Sequence, residues 1–588
     1  MVSQYGFKFA IHLITNHFGK IVAKVCETLF RKGPLSLGEI IRSTELTPEQ
    51  VKNSLLVLVQ HNCVQAYVPA DQCTIAFPPL FSNFFMFAIE IILFSVNVVR
   101  GEDGSMATVE YLALFDNIIH RLRFPKFLEI AKHQLDDECE KVLDGLLRDG
   151  RLTLKQMVER AVQGKENPGA IEAVVRESFH KLLKAHYIER CPAPEPVVST
   201  LIKAESAPRK RGSKMAKKFE APETIEQRVL EAAVPGEAIR FAVTAYTLGN
   251  ADREAKSDDS SMVNDGDNSG KFIVILCESL IYVTKFYCTH ISSMILIFLH
   301  FFTWIQGGIA NEGSILWRAN FEEFIRHLRH KLLVENERKR LDDGAATILS
   351  AILDVTKTVE KKVKIEKSAP LSLDSIFTEV TKTEHGRTMT IDRVRASLVQ
   401  LGCPQRNFDD SYSIDLKSIV EMARNEEVES IVLKRFGSDA YRIFRLLSKS
   451  NCFLETDKIA ESALVDKKET PRLLYKLWKD NYLYMEKLVV TAAKQSRFML
   501  WKVNKPLLWE YVLDEMYHAA LNLSLRLAFE QEKDEDLLHV PADKLVPADK
   551  SSEANALQKR YRRLRDVLFL MGSSLMKLDD ALMLFHDF

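Results

Sequence analysis

The chain lacks the motifs of most reactive centres and has few cysteines. Its nine cysteines are scattered from Cys26 to Cys452 without a C-x-x-C pair, which argues against a disulfide framework or zinc ribbon and suits a reducing compartment. It contains no G-x-x-x-x-G-K-S/T, G-x-G-x-x-G, H-E-x-x-H or G-x-S-x-G motif, so nothing indicates phosphate-loop, dinucleotide, metalloprotease or serine-hydrolase chemistry. We therefore expect no catalytic residue, no metal site and no cofactor.

Two fragments that resemble metal sites are incomplete. Residues 265–270 resemble the opening of a calcium loop, but Leu276 occupies the place of the bidentate Glu. His327 and His330 lie three residues apart, and two histidines alone rarely bind zinc. We interpret residues 326–331 as an exposed basic helix instead.

The chain also lacks an excess of either charge. Its 80 Lys and Arg residues balance 80 Asp and Glu residues, whereas a free-standing duplex binder is usually basic. Any contact with nucleic acid is therefore local or depends on partners. Residues 1–9 contain no long apolar core behind a basic start, so we expect no secretory signal.

One pattern occurs four times: a helix, a turn, a second helix and a strand. The first copy contains residues 33–41, a polar break, a helix start at residues 47–50, an apolar stripe and a β-like run at residues 63–68. This order is typical of a winged helix, in which a helix-turn-helix is followed by a small β-hairpin. Four unrelated helical hairpins are the alternative.

Each copy carries a start signal for its second helix. In the first, Thr47 precedes Pro48, and Gln50 completes a capping box. The other copies have Asn167–Pro168, Thr390 and Thr470–Pro471. The apolar stripes that follow are Val51, Leu55 and Leu58; Ile171, Val175, Phe179 and Leu182; Ile391, Val394, Leu398 and Leu401; and Leu474, Leu477 and Trp478.

The predicted fold is mainly α-helical with small β wings, as four tandem extended winged-helix domains and a C-terminal coiled-coil hairpin. After the later stripes, β-like runs occur at residues 187–190, 412–414 and 482–485. The expected boundaries are winged helices at 1–76, 107–192, 312–416 and 417–490, apolar insertions at 77–106 and 271–311, a charged disordered linker at 193–270, and the coiled coil at 505–588.

Two long apolar runs interrupt this plan. Residues 84–99 and 272–304 are rich in Ile, Phe and Leu, and a membrane span needs about 20 such residues. We prefer the hypothesis that both are insertions, such as translated introns, over true membrane helices.

The C-terminal segment has heptad spacing. Apolar residues alternate by fours and threes in two arms separated by a charged break, which favours an antiparallel coiled coil over an ordinary amphipathic bundle helix. The arms contain Leu513, Met516, Ala520, Leu523 and Leu527, then Leu557, Tyr561, Leu564, Leu568, Met571, Leu575, Leu578 and Leu582.

Two groups of cations are candidates for binding DNA or for nuclear import. Around the second helix of the fourth copy, Lys468, Arg472, Lys476 and Lys479 are three or four residues apart and share a face. Lys52 is a weaker candidate in the first copy, and protein docking remains the alternative for these helices. The linker carries a basic cluster that serves import or phosphate contact, or is only a solvated segment: Arg209, Lys210, Arg211, Lys214, Lys217 and Lys218.

Several strings of residues resemble one family. Residues 121–127 (RLRFPKF) look like its Arg-Tyr-Pro-Arg-Tyr-type segment, residues 316–324 (LWRANFEEF) resemble its Trp-x-Ala-Asn motif, and residues 434–447 (KRFGSDAYRIFRLL) are the most specific match. With residues 5–68, they resemble the third-largest subunit of nuclear RNA polymerase III, a winged-helix family related to the alpha subunit of transcription factor IIE. The resemblance covers nearly the whole chain except the two insertions.

The resemblance implies a non-catalytic nuclear protein. Such a subunit sits on the polymerase clamp with two other polymerase III-specific subunits and helps recruit the enzyme to promoters of transfer RNA and 5S ribosomal RNA genes. It would contact double- and single-stranded DNA during opening, although the sequence indicates no aromatic stacking platform. It has no small-molecule substrate. The alternatives are a winged-helix scaffold of another assembly, such as a proteasome-lid type, or a membrane-anchored protein.

Overall fold

The computed structural model describes residues 3–70, 108–163, 168–198, 224–242, 315–357, 359, 364–403, 411–492, 494–538 and 552–588. The chain divides into two compact units. The first comprises Met1–Ile130, Val197–Pro222 and Asn320–Phe588, and the second comprises Ala131–Pro196 and Glu223–Ala319. The described residues are mainly helical with small sheets, as predicted. The expected insertions at 77–106 and 271–311 lie outside the described residues.

The first copy of the repeat begins unit 1, and its second helix starts where the sequence predicts. Thr47 Oγ1 accepts from Gln50 N at 3.3 Å and Gln50 Oε1 accepts from Thr47 N at 3.1 Å, so the capping box is confirmed. The predicted stripe of Val51, Leu55 and Leu58 is buried. The elements are α1 (Gln4–Phe18), α2 (Lys20–Lys32), β1 (Leu35–Ser36), α3 (Leu37–Thr44), α4 (Pro48–Gln60) and β2 (Val64–Pro69).

A strand from beyond the predicted boundary completes the first sheet. β3 (Glu110–Ala113) lies between β1 and β2 and is antiparallel to both, with Tyr111 opposite Leu35 and Ala66. Assigning residues 107–192 to the second copy is therefore wrong for this strand, because its backbone hydrogen bonds join it to the first. It is followed by α5 (Phe115–His120), a 3-10 turn (Arg121–Arg123) and α6 (Phe124–Gln134).

The second copy lies in unit 2, and its sheet also recruits a distant strand. Val175, Phe179 and Leu182 of the predicted stripe are buried, whereas Ile171 is half-buried; Asn167 lies outside the described residues. The elements here are α7 (Asp137–Asp149), β4 (Leu152–Thr153), α8 (Leu154–Val162), α9 (Pro168–Lys184), β5 (Ile188–Arg190) and β7 (Leu316–Ala319).

β7 pairs antiparallel with both β4 and β5. The indole of Trp317 is buried and meets the Phe179 ring edge-on, with centroids 5.0 Å apart. The prediction placed residues 312–319 in the third copy; their pairing and the burial of Trp317 place β7 in the second instead.

Part of the predicted linker is folded. Thr224 and Gln227 form a capping box at the start of α10 (Ile225–Ala233), where Val229 is fully buried. α11 (Glu237–Arg240) follows, and in unit 1 β6 (Val197–Val198) pairs in parallel with β2. The expectation that residues 193–270 form a disordered linker is therefore wrong for these segments. The basic cluster at 209–218 lies outside the described residues.

The third copy has the predicted helix start and a small sheet. Thr390 caps α15 through Arg393 N at 3.3 Å, and Val394 and Leu398 are buried. Ile391, predicted to be buried, is 41% exposed because it lies in the first turn. The elements are α12 (Phe321–Arg340), α13 (Asp343–Thr356), β8 (Leu371–Ser372), α14 (Leu373–Lys382), α15 (Ile391–Gln400) and β9 (Ser411–Tyr412).

The interpretation of residues 326–331 as an exposed basic helix is wrong. Arg329 is buried and donates to the carbonyl of Ile365 at 2.8 Å, while Arg326 lies 3.1 Å from Glu323. Burial, reinforced by the neighbouring Arg329, lowers the pKa of His330 to about 3. His327 and His330 therefore lie on a partly buried face of α12.

The fourth copy has the longest wing. Leu474 and Leu477 anchor its second helix, but Trp478 is 36% exposed, so its assignment to the buried stripe is wrong. The predicted boundary at residue 490 is too early, because β11 and β12 pair continuously. The elements are α16 (Leu416–Phe436), α17 (Ser438–Ser450), β10 (Leu454–Glu455), α18 (Thr456–Ala463), α19 (Thr470–Lys479), β11 (Tyr484–Ala492) and β12 (Lys494–Lys502).

Two long helices form the C-terminal segment. They run antiparallel: Arg560 pairs with Asp534 at one end, and His586 lies against the Tyr517 ring at the other. All predicted heptad positions are buried or half-buried, and the coiled-coil geometry stays a prediction. The elements are α20 (Lys505–Lys533), α21 (Glu535–Leu538) and α22 (Ser552–His586).

Within the part of the chain that the structure describes, no helix has the length and apolar character of a membrane span.

Candidate nucleic-acid surface and its support

The second helix of the fourth copy, α19, packs into its domain through its inner face, and its outer face is exposed to solvent. Leu474 and Leu477 are fully buried. At the start of the helix, the Thr470 hydroxyl donates to the carbonyl of Asp466 at 2.9 Å, and Glu469 occupies the N-cap position. The prediction that Thr470 caps this helix is therefore wrong, although Pro471 does lie in its first turn.

The four predicted cations of this copy all lie at the surface. Lys468, Arg472, Lys476 and Lys479 are exposed, and the Arg472 side chain is 80% accessible. Arg472 lies 3.7 Å from Glu469, a long and solvated ion pair, and Lys476 Nζ lies 5.4 Å from the centre of the Phe436 ring. Lys468 and Lys479 have no ion-pair partner among the described residues. The helix therefore presents exposed positive charge that a phosphate can neutralise.

An aromatic pair that the sequence analysis missed lies beside these cations. The rings of Tyr475 and Trp478 have centroids 5.6 Å apart at 42°, and the two side chains are 58% and 36% exposed. Exposed rings next to cations are suited to stacking of unpaired bases. The spacing held a signal for Tyr475 alone, which directly follows Leu474 and lies three residues after Arg472. Trp478 follows Leu474 by four residues, so spacing places it on the buried face.

Of the other candidates, only Lys52 lies among the described residues. Lys52 is exposed on α4, where it is the only basic residue of the helix and follows Glu49. The linker cluster is not among the described residues. Nor do the described residues contain a group of His, Cys, Asp and Glu side chains that could hold a metal ion.

A buried ionic junction holds the end of α22 against the turn after α5. Arg123 is fully buried; its Nε donates to Asp579 at 3.0 Å and its Nη1 lies 2.5 Å from Asp587. Lys126 Nζ reaches Asp579 at 2.6 Å and the more exposed Asp580 at 2.8 Å. These cations come from the segment 121–127 that carries the family resemblance. Residues 121–127 therefore hold the end of α22 in place.

Two histidines close the junction. His120 Nε2 lies 3.3 Å from Asp587, and His586 lies 3.2 Å from Asp116 and 3.1 Å from Asp587. Burial alone would lower the pKa of His586, but the carboxylates of Asp587 and Asp116 raise it to about 9. Asp587 is itself buried, yet Arg123 and His586 hold its pKa well below the usual range. Arg123, His586 and Asp587 are therefore charged at neutral pH.

Comparison with known proteins relates this architecture to one family. Family models match the chain at residues 8–68 (RNA polymerase III subunit RPC82 helix-turn-helix domain), 177–435 (RNA polymerase III subunit RPC82) and 428–503 (POLR3C, C-terminal winged-helix domain). The last match ends after β12, in agreement with the observed wing.

Several relatives align along most of their length. The chain is 23% identical over 550 residues to DNA-directed RNA polymerase III subunit RPC3 of Homo sapiens, covering 91% of this chain and 86% of that one. It is 24% identical over 538 residues to the Danio rerio subunit, with 90% and 84% covered. The Dictyostelium discoideum subunit is 22% identical over 699 residues, with both chains fully covered.

Proposed function

The chain belongs to the RNA polymerase III subunit RPC82 family, and from this premise we propose that it is a non-catalytic nuclear subunit of that polymerase. In this role it assists promoter recruitment, DNA opening and initiation at transfer RNA and 5S ribosomal RNA genes. The observation that carries the proposal is the combination of winged-helix folds with family matches at residues 8–68, 177–435 and 428–503.

We further propose that the chain consists of four tandem winged-helix domains followed by a coiled-coil hairpin. The supporting observation is that a helix-turn-helix precedes a small sheet in each copy. Small domains in series offer several separate surfaces, which suits a subunit that touches the polymerase clamp, two other polymerase III-specific subunits and promoter DNA at once.

The DNA contact is proposed at α19. Three features support it: exposed cations at helical spacing, the adjacent Tyr475 and Trp478 rings, and a neutral overall charge that makes a local basic surface necessary. The cations would neutralise phosphates of duplex or single-stranded DNA, and the rings would stack on unpaired bases.

A variant of the full chain tests this contact. Changing Lys468, Arg472, Lys476 and Lys479 together to Ala should weaken binding to duplex and single-stranded promoter DNA and flatten its salt dependence. The logarithmic slope should fall by about 0.9 for each duplex phosphate that the protein no longer neutralises. The measurement is a DNA titration at several salt concentrations, with promoter-dependent transcription by polymerase carrying the variant as the functional readout.

A charge-matched control removes cations that already have acidic neighbours. Each lies near a carboxylate three or four residues away on its own helix: Lys141, Arg148, Lys155 and Arg176. Changing these four residues to Ala should leave the salt dependence of DNA binding unchanged. Unchanged binding by the α19 variant would assign that helix to protein docking.

A further inference from the structure

The middle of α22 carries an unusually basic and apolar outer surface. Lys559, Arg562 and Arg563 are exposed, and Phe569 and Leu570 are 78% and 66% exposed. Neither the DNA contact nor the buried seam of the C-terminal hairpin uses these side chains. Large apolar side chains this exposed on a regular helix are typical of interaction sites.

The charges of this segment are not equally available. Arg560 is held by Asp534 at 2.5 Å, and Arg565 lies 3.3 Å from Asp566. Lys559, Arg562 and Arg563 have no ion-pair partner among the described residues. The unpaired charges of this segment are therefore positive, and they lie on the helical turns that precede Phe569 and Leu570.

Helical spacing places the arginines and the exposed apolar side chains on the same rows of the helix. Arg562, Asp566 and Phe569 follow one another by four and three residues, and Arg563 and Leu570 lie two turns apart on the next row. From Lys559 to Leu570 the helix rises about 17 Å. That length suits a short peptide segment with acidic residues next to an apolar anchor.

We propose that Arg562, Arg563, Phe569 and Leu570 form a docking strip for a partner protein, which binds through an acidic segment carrying a Leu or Phe anchor. The anchor would cover Phe569 and Leu570, while Asp or Glu side chains pair with the arginines. Arg presents a planar fork that matches a carboxylate, which favours acidic side chains as the recognised group.

A nucleic acid fits the docking strip less well. Leu570 has no ring on which a base could stack. Asp566, 69% accessible, lies between the arginines and Phe569, and DNA cannot avoid it because a phosphate charge recurs every 1.7 Å or so along the duplex axis. A peptide can place a neutral residue opposite Asp566.

The test uses the full chain and a labelled probe peptide of about 15 residues, rich in Glu, with Leu and Phe at helical spacing. Binding is followed by fluorescence anisotropy. Arg562→Glu with Arg563→Glu, and separately Phe569→Ser with Leu570→Ser, should each weaken binding about tenfold or more. These side chains are exposed, so circular dichroism should be unchanged.

Matched controls separate the docking strip from general charge and stickiness. Arg148→Glu with Arg176→Glu makes the same charge change elsewhere, and Leu507→Ser removes a side chain that is 59% exposed at the start of α20. Both should bind the probe as the unaltered chain does. A photo-crosslinker at position 570 should capture the probe, and a peptide with Lys in place of Glu should not bind.

Three outcomes would overturn the proposal. One is equal binding by the strip variants and the controls. Another is displacement of the probe by single-stranded oligonucleotide at equal concentration, which would make the strip a nucleic-acid site. The third is absence of crosslinking at position 570. None of these results bears on polymerase membership, because the assay contains no other polymerase subunit.

Discussion

At the scale of single residues, Arg123 lies at the centre of a cluster of buried charges. It contacts Asp579 and Asp587 while fully buried, and Lys126 shares Asp579. Ions removed from water are stable only when they are paired. The junction therefore fixes the end of α22 in one position, and loss of one member leaves its partners uncompensated.

Arg123→Met should destabilise this junction by about 3–5 kcal/mol, because two carboxylates are left in a buried site without their cation. Hydrogen exchange of α22 measures the loss, since a chain with several domains does not unfold in two states. Arg148→Met removes an exposed arginine paired with Asp144 and should change protection by less than about 0.5 kcal/mol. Equal protection in both variants would contradict the structural role of Arg123.

His586 makes the same junction sensitive to pH. Its pKa in the folded chain, about 9, lies above the ordinary value of 6.5, so the protonated form is favoured by folding. This stabilisation is fully present below pH 6.5 and is lost as the pH rises through 9. It amounts to about 3 kcal/mol.

The comparison of His586→Gln with the unaltered chain tests this linkage. Amide exchange near the end of α22 should be faster in the variant at pH 6, and the difference should disappear by about pH 10. His385→Gln, at an exposed position, serves as the control and should show no such trend. A difference that grows with rising pH would have the wrong sign.

At the scale of elements, local signals predicted helices well and strand partners poorly. Thr47 and Thr390 cap the helices that the sequence assigned to them, because a cap and its partner lie three residues apart. β3 and β7 fell in the wrong copies, because pairing with β1, β2, β4 and β5 depends on residues far away in the chain. Periodicity shows that a strand exists, and its partner is set by tertiary packing.

Trp317 tests the reassignment of β7 to the second copy. Trp317→Ala should cost about 3–5 kcal/mol, because the indole is buried against Phe179. Hydrogen exchange should then show loss of protection in β4, β5 and α9, while α14 and α15 stay protected. Leu316→Ala, at a position 41% exposed, is the matched control. Loss confined to the third copy would restore the original boundary.

The candidate DNA surface was only partly visible in the sequence. Lys468, Arg472, Lys476 and Lys479 stood out because their spacing puts them on one face. Trp478 was missed because it adjoins Leu477 and was counted with the buried stripe, and its pairing with Tyr475 follows only from its exposure. The burial of the Asp579 carboxylate was also not predicted. Asp579 directly follows the heptad position Leu578, and only apolar residues were counted in the heptads.

At the scale of the whole molecule, the proposed function depends on assembly with other subunits. The balanced net charge, the mainly helical fold with small sheets and the family matches support a subunit that docks onto larger machinery. The mainly helical fold with small sheets was predictable from the recurring pattern, and the family from a few distinctive strings. Which surface meets which partner was not, because docking depends on exposed side chains that no periodicity constrains.

The most direct test is purification of the tagged, intact chain from nuclei, with quantitative mass spectrometry of the proteins that elute with it. The account predicts the subunits of RNA polymerase III in amounts equal to the tagged chain, retained through gel filtration. Recovery of a different assembly, or elution of the chain alone, would contradict it.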